Sequence, residues 1–515
     1  MPRPKSTMAR RGQRRGRKPT QAPEQRERCS WATLPLELRE MIFEVLEDSI
    51  QAGTMKASAC ASVCKAWRGY FEPYVFRRLT LTLERLNELE ARIALHQRSY
   101  VQHIWFRFER SVKPCATHVQ FRHELDALRF HTAMYQLFLI LSEWPSRGAD
   151  QPGIALELTA FSAVDPEYSM KDTVPEELSG ADLTVDSETL NALYDRPPRQ
   201  MRPLTAEQTQ EFGRVQQFYR PGAAAGLADR PLPQVVLITD LAVRRQMHIS
   251  FFVPHIRHIV SSLPKLEFLT YEPRAYHLHE VNASLTNVES IRAMVTRMPS
   301  TIRRLQIFED GNGLYGNGTH ATQVNDRDGS LGRLLADITQ DKEPEAIAIS
   351  FVIDAVHFFH DFWTPQVTRP QWKLGWLNLT SLVLTSAVMT SNRRDEIPPL
   401  LTAAARAARH MPNLEILELY YVAQMHGAIF TYIHDREGSI VYWESTWKWT
   451  LPSGVVSVWR QAAAVHGTKE LAHEESYITK SQLRWGGSIV SLLRTRTTVV
   501  HPITYGNMMN GLNHV

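Results

Sequence analysis

The chain has 515 residues, 43% of them hydrophobic and 22% charged. That composition supplies ample core for more than one domain and excludes a disordered or fibrous chain. Its formal charge is +4, yet residues 1–20 hold eight Lys or Arg and no acid, which leaves −4 for everything after them. Four cysteines, Cys29, Cys60, Cys64 and Cys115, are too few for a disulfide scaffold, so a reducing compartment is expected. Their spacing, with His118 added, matches no common zinc pattern, and no metal or other cofactor is expected.

Residues 1–28 read as a disordered basic tail, because Pro, Gly and Gln between the charges prevent packing. The run Arg11 to Lys18 resembles a nuclear import signal, so the expected location is cytoplasm, nucleus or both. It resembles an AT-hook only loosely, and one imperfect hook makes few phosphate contacts; DNA is not an expected partner. No apolar leader opens the chain, and the run Leu137 to Leu141 is far too short to span a bilayer. A soluble intracellular protein without a membrane partner is expected.

Residues 29–75 carry two apolar stripes. Leu38, Met41, Ile42, Val45 and Leu46 fall on one face of a 3.6-residue helix, with Thr33 as a candidate N-cap, Pro35 in the first turn and Glu37 near the positive end of the dipole. Cys60, Val63, Cys64, Trp67 and Phe71 repeat the pattern in a second helix, with Cys60 and Cys64 on its buried face. Two short helices cannot bury both stripes against each other, so the segment is expected to complete itself on a partner.

The order Leu34-Pro35-x-Glu37-Leu38, Ile42, Leu46, then Val63-Cys64-x-x-Trp67-Arg68 resembles an F-box, over about 40 of the 515 residues. The resemblance implies a three-helix segment that docks on a Skp-type adaptor and, through it, on a cullin-RING ubiquitin ligase. It assigns the adaptor contacts to Leu34, Pro35, Ile42, Leu46, Val63, Cys64 and Trp67. Two features depart from the family pattern: a longer loop between Leu46 and Val63, and the small residues Ala57, Ala59 and Cys60 ahead of the Val-Cys pair.

Residues 76–515 alternate strand and helix. Leu79, Leu81 and Leu83 have period 2; Leu86, Leu89 and Ile93 are helical; Ile104, Phe106 and Phe108 return to strand. A long helix over 121–144 and a strand at Ile154, Leu156 and Leu158 follow, and the alternation predicts parallel pairing. One template then recurs: Leu263-Pro264-x-Leu266-x-x-Leu269, Met298-Pro299-x-x-Ile302-x-x-Leu305-x-Ile307 and Met411-Pro412-x-Leu414-x-x-Leu417-x-Leu419. Leu379-x-x-Leu382-x-Leu384 fits without the proline, and the doubled gap from Ile302 to Leu379 leaves room for a degenerate unit near Ala346 to Phe351. In each unit a helix ends, proline forbids its continuation and a strand begins. The fold class read from this pattern is α/β: a helical F-box followed by an irregular leucine-rich-repeat-like solenoid with one strand face open for recognition. An ordinary α/β domain with coincidental Leu spacing is the competing reading.

Three segments interrupt the pattern. Residues 165–232, rich in Pro, Gly and acids, read as a mobile insertion with one helix near Thr205 to Phe218. Residues 310–330 read as a polar loop. Tyr442, Trp443, Trp447, Trp449 and Trp459 form an aromatic patch expected to cap the end of the array, with substrate anchoring as the alternative. No catalytic constellation emerges. Gly311-x-Gly313-x-x-Gly316 follows a strand but opens no helix, and His357 and His360 beside Asp361, in an aromatic helix from Phe351 to Trp363, lack a third metal ligand. The expected role is therefore that of a substrate receptor in a Skp-cullin-F-box ligase, binding the adaptor at one end and an unidentified protein target at the other. The alternative is a non-catalytic scaffold whose F-box recruits no ligase.

Overall fold

The structure, a computed structural model, describes residues 31–51, 54–110, 119–148, 151–162, 230–244, 253–273, 281–309, 326, 328–364, 375–423, 426–468, 470–483, 486–502 and 504–505. The basic tail, nearly all of the 165–232 insertion with its expected helix, and the Gly311–Gly316 motif lie outside these residues, as do Cys29, Cys115 and His118. Among the described residues no helix is long and apolar enough to cross a membrane.

The chain enters through a short 3-10 turn, Trp31–Thr33, and three helices, α1 (Leu36–Gln51), α2 (Ala57–Ala61) and α3 (Lys65–Phe76). The second stripe is thus not one helix. The backbone at Cys64 is extended, at φ −162°, and splits it, leaving Cys60 buried and Cys64 exposed rather than sharing a buried face. Thr33 lies in the 3-10 turn and not at the start of α1.

After α3 every strand pairs with its neighbour in sequence. The strands β1 (Arg78–Leu81), β2 (His103–Arg110), β3 (Ile154–Ser162), β4 (Ile238–Val243), β5 (Phe268–Tyr271), β6 (Arg304–Phe308), β7 (Ala346–Ser350), β8 (Ser381–Thr385), β9 (Ile416–Ala423), β10 (His426–Asp435), β11 (Gly438–Ser445) and β12 (Leu471–Tyr477) form one open mixed sheet in sequential order. Pairing is parallel from β1 to β9 and again between β11 and β12, whereas β9, β10 and β11 are joined antiparallel. The helices are α4 (Leu83–Arg92), α5 (Leu95–Arg98), α6 (Val119–Ser142), α7 (Val253–Ser261), α8 (Val281–Val295), α9 (Ser330–Lys342), α10 (Ala355–Phe358), α11 (Ile397–Ala408), α12 (Ser453–Val465) and α13 (Arg496–Val499). The strands read from the template are β5, β6, β8 and β9, and β7 fills the gap left for a degenerate unit.

Registry explains why the template recurs. Leu79, Ile104, Leu156, Leu241, Leu269, Leu305, Ile347, Leu382 and Leu417 stand side by side across nine parallel strands, and from Ile104 onward each is at most 1% exposed. A second row two residues on runs from Leu81 through Phe106, Leu158 and Val243 to Leu419, also buried. Both rows face the helices, so each strand contributes the same two apolar positions to one continuous core. Side chains ahead of the strands tie consecutive units together. Thr301 Oγ1 donates to Leu266 O at 2.7 Å, and Asn413 Nδ2 to Leu377 O at 2.7 Å, across 35 and 36 residues.

The helix expected from Phe351 to Trp363 is broken. Phe351 has φ 64°, in the left-handed region, and its N–H donates to Thr385 Oγ1 at 2.7 Å. The chain turns there, and only α10 and a 3-10 turn at His360–Phe362 follow. The aromatic patch is core: Trp443 and Trp459 are buried, with Trp459 4.9 Å from Tyr432 and 5.0 Å from Phe430 between ring centroids. The sheet's last edge is β12 instead, whose exposed His473, Glu474 and Glu475 discourage further pairing.

The ladder predicts an asymmetry. Leu305→Ala and Leu382→Ala should each lower unfolding free energy by about 2–5 kcal/mol in urea melts. Leu36→Ala, at a side chain 62% exposed, should cost less than about 1 kcal/mol.

Candidate functional site

Two surfaces stand apart from the buried core. The first is the N-terminal helical segment, which has a small core of its own. Phe43, Cys60 and Phe71 are buried there, with Trp31, Leu46, Ile50, Trp67, Tyr70 and Tyr74 packed around them. Phe43 sits at the centre: its ring lies 5.0 Å from Trp31, 5.5 Å from Trp67, 5.2 Å from Phe71 and 4.2 Å from Tyr70. Tyr70 Oη donates to Glu47 at 3.2 Å, which fixes α3 against α1. Gln97 Nε2 to Glu72 at 2.7 Å and Arg77 Nε to Gln102 at 2.8 Å fix α3 to the start of the sheet.

Of the predicted α1 stripe only Leu46 packs on this core, whereas Cys60, Trp67 and Phe71 of the second stripe belong to it. Met41 and Val45 are 59% and 64% exposed, Leu38 and Ile42 are also exposed, and Leu36 joins them. Of the seven residues singled out, Pro35, Ile42, Val63 and Cys64 are exposed, while Leu34, Leu46 and Trp67 are half-buried. Exposed aliphatic side chains therefore gather along α1 and at Val63. The stripe is real but faces outward, because the aromatic side chains Trp31, Phe43 and Phe71 fill the small interior. Leucine periodicity favours the outward face, and only the clustering of aromatics in the sequence marks the inner one.

The second surface is the sheet face opposite the helices. Its central row is Thr80, Trp105, Glu157, Ala242, Thr270, Gln306, Ala348, Val383, Glu418 and Thr431. The expectation of an open recognition face fails over its later half, where the chain's own C-terminal segment covers it. A 3-10 turn at Gly486–Leu492 packs on β9, and α13 packs on β6 and β7. The polar groups match. Glu418 accepts from Arg494 N at 3.1 Å, Thr495 N at 3.0 Å, Thr495 Oγ1 and Thr431 Oγ1. Glu272, just past β5, accepts from His501 N at 2.6 Å, Thr504 Oγ1 and Gln306 Nε2. Burial raises the Glu418 pKa against these hydrogen bonds. The signal was a lone acid within an apolar strand, Leu417-Glu418-Leu419. Sequence alone gives no indication of which distant segment supplies the donors.

Over β1 and β2 the face is less covered: Arg78, His103, Trp105 and Arg107 are half-buried, as is Asp240 of β4, while Glu157, Thr159, Ala242 and Arg244 are buried. Glu157 is buried, and burial would raise its pKa. Arg244 and then His103 outweigh that and hold it near 2, with Arg244 Nε 2.6 Å and His103 Nε2 3.2 Å away. His501 is pushed down to about 3 by burial and by Arg244. The Asp240 carboxyl is pushed up to about 7 by burial, against Arg304 and with help from Glu157.

Asp337, on α9, supplies the third ligand that the sequence reading of His357, His360 and Asp361 lacked. Ligand atoms of Asp337, His360 and Asp361, all half-buried, lie within 4.8 Å of one another. His357 is not part of the group, since it packs on Gly329 and Gly332, where a Cβ would collide with it. This arrangement has the donor types of a cation site, but Arg406, bonded to the carbonyls of Phe362 and Trp363, adds a positive charge beside it.

Residues 297–501 match the model described as Family of unknown function (DUF6546), a span from just after α8 through α13 that excludes the N-terminal helices. No curated protein and no solved structure matches the chain.

Asp240 gives a pH test. Its folded pKa of about 7 exceeds the value of about 3.9 for an unfolded Asp. Between the two the folded chain holds the extra proton, so the contribution of this site is complete below about pH 4 and is lost as pH rises through about 7. Urea unfolding should show that decline, and Asp240→Asn should flatten it. An unchanged slope in the variant would mean that the carboxyl is solvated.

Proposed function

We propose that the chain is the substrate-recognition subunit of a Skp-cullin-F-box ubiquitin ligase. In this reading the helices from Trp31 to Phe76 are an F-box, and the sheet with its helices is an irregular leucine-rich-repeat-like array that holds a protein target. The observation that carries it is the exposed row Leu38, Met41, Ile42 and Val45 on one face of α1, with Leu36 and Val63 exposed elsewhere on a segment whose own core is already closed by aromatics. Contiguous apolar surface of this kind marks an interaction site. Covering a helix face with another helix restores to these side chains about 1.5–3 kcal/mol each.

The chain itself then performs no chemistry. Gln97, Glu72, Arg77 and Gln102 hold the adaptor end at a fixed orientation to the first strand. A target held on the array would be presented to a ubiquitin-loaded enzyme at a constrained distance, the positioning effect that converts a bimolecular encounter into a local one. The scaffold alternative shares the docking step and differs only in whether a cullin follows.

The test uses outward residues, which can change without unfolding the segment. Val45→Asp with Val63→Asp should reduce capture of a Skp-type adaptor on the order of a hundredfold, the loss expected when a charge is forced into an apolar contact. Circular dichroism should stay unchanged. Wild-type capture by this variant would refute the assignment, and adaptor capture without cullin in the same eluate would favour the scaffold.

A further inference from the structure

Helix α1 carries a second row beside its apolar one. Glu37, Glu40 and Glu44 each directly precede an exposed aliphatic residue, Leu38, Met41 and Val45, and Asp48 continues the series. Steps of three, four and four keep these carboxylates on one face, about 100° round the helix from the aliphatic row. All four are exposed. Their charged neighbours are used differently. Glu47 accepts from Tyr70 Oη and Gln51 Nε2, and Arg39 turns to the other side, its Nε 2.9 Å from Leu34 O. The exposed cations Lys56, Lys65 and Arg68 stand at the N-cap of α2 and on α3.

Such a row works against the helix that bears it. Like charges three and four residues apart repel. Glu37 suits the positive first turn, but Asp48 stands in the last turn, where the helix end is negative and no basic residue offsets it. Among the described residues none of the four carboxylates makes a hydrogen bond or an ion pair. The row does nothing to hold α1 in place, and it runs along the surface already assigned to docking. A partner that covers the aliphatic row must bring positive charge to the border beside it, or leave these carboxylates against a desolvated contact without a counterion.

We propose that the surface covering α1 is an apolar groove of the partner protein, bordered on one side by lysines or arginines opposite Glu37, Glu40, Glu44 and Asp48. The inference rests on the docking reading above and names the chemistry of the partner's side. Exposed charge of this kind acts over a Debye length, so it orients the partner before contact and raises the association rate, while the aliphatic row sets the lifetime of the complex. A groove with an acidic border would meet like charge and be rejected.

The test measures binding of a purified Skp-type adaptor to the full-length chain at low and high salt. Glu40→Lys with Glu44→Lys should weaken binding on the order of tenfold or more at low salt, mainly through slower association, and the difference should close at high salt. Glu40→Gln with Glu44→Gln should show part of that loss yet melt at the wild-type temperature or higher, since repulsion is relieved. Carbodiimide coupling in the complex should join Glu40 or Glu44 to adaptor lysines. Wild-type association by the Lys pair would overturn the proposal. So would a Gln pair that melts lower, which would give the row a structural role. Coupling to the chain's own Lys5 or Lys18 would overturn it too, by placing the basic residues 1–20 on the row. Capture that survives these variants but is lost with Val45→Asp and Val63→Asp refutes this inference alone. An adaptor that the wild-type chain fails to bind refutes the receptor assignment, and this inference falls with it.

Discussion

The structure depends on the side-by-side registry of one aliphatic position in nine parallel strands. Because Ile104, Leu156, Leu241, Leu269, Leu305, Ile347, Leu382 and Leu417 are hydrogen-bonded neighbours, each strand finishes the burial begun by the one before it. Parallel strands need covered faces to bury such rows, and the helices supply one cover. The second cover is unusual in being divided. The C-terminal segment closes the face over the later strands, and β1 and β2 keep theirs half-buried. The later strands present the acceptors Glu418 and Glu272 where the chain's own donors arrive.

The N-terminal helices obey a different economy. They are too small to bury Leu, Met, Ile and Val as well as Trp31, Phe43, Trp67 and Phe71, and the aromatics occupy the interior. Larger rings remove more area per residue and pack edge to face, so they win the limited space. The aliphatic row of α1 is left facing solvent. The hydrogen bonds Gln97–Glu72 and Arg77–Gln102 tie α3 to the start of the sheet, and Tyr70–Glu47 ties α1 to α3.

Much of the sheet was legible in the sequence. The proline after a helix and the Leu at fixed steps marked β5, β6 and β9, the Leu steps alone marked β8, and the doubled spacing marked β7. Period-2 alternation marked β1, β2 and β3. What sequence could not convey was long-range: that Glu418 meets Thr495 and that Glu272 meets His501, pairs separated by 77 residues in one case and 229 in the other. The open strand face was misread for that reason. The apolar stripe of α1 was legible as a stripe, but its direction was not, because periodicity identifies a face without saying what covers it. The aromatic run around Trp443 reads as an end cap in sequence; Trp443 packs on Trp447 and Trp449, and Trp459 of α12 on Phe430 and Tyr432.

The most direct measurement is hydrogen–deuterium exchange of the full-length chain with and without a Skp-type adaptor. Protection confined to the helices between Leu34 and Trp67, with the sheet strands unchanged, is the predicted result. Unaltered exchange in those helices at saturating adaptor would contradict the account.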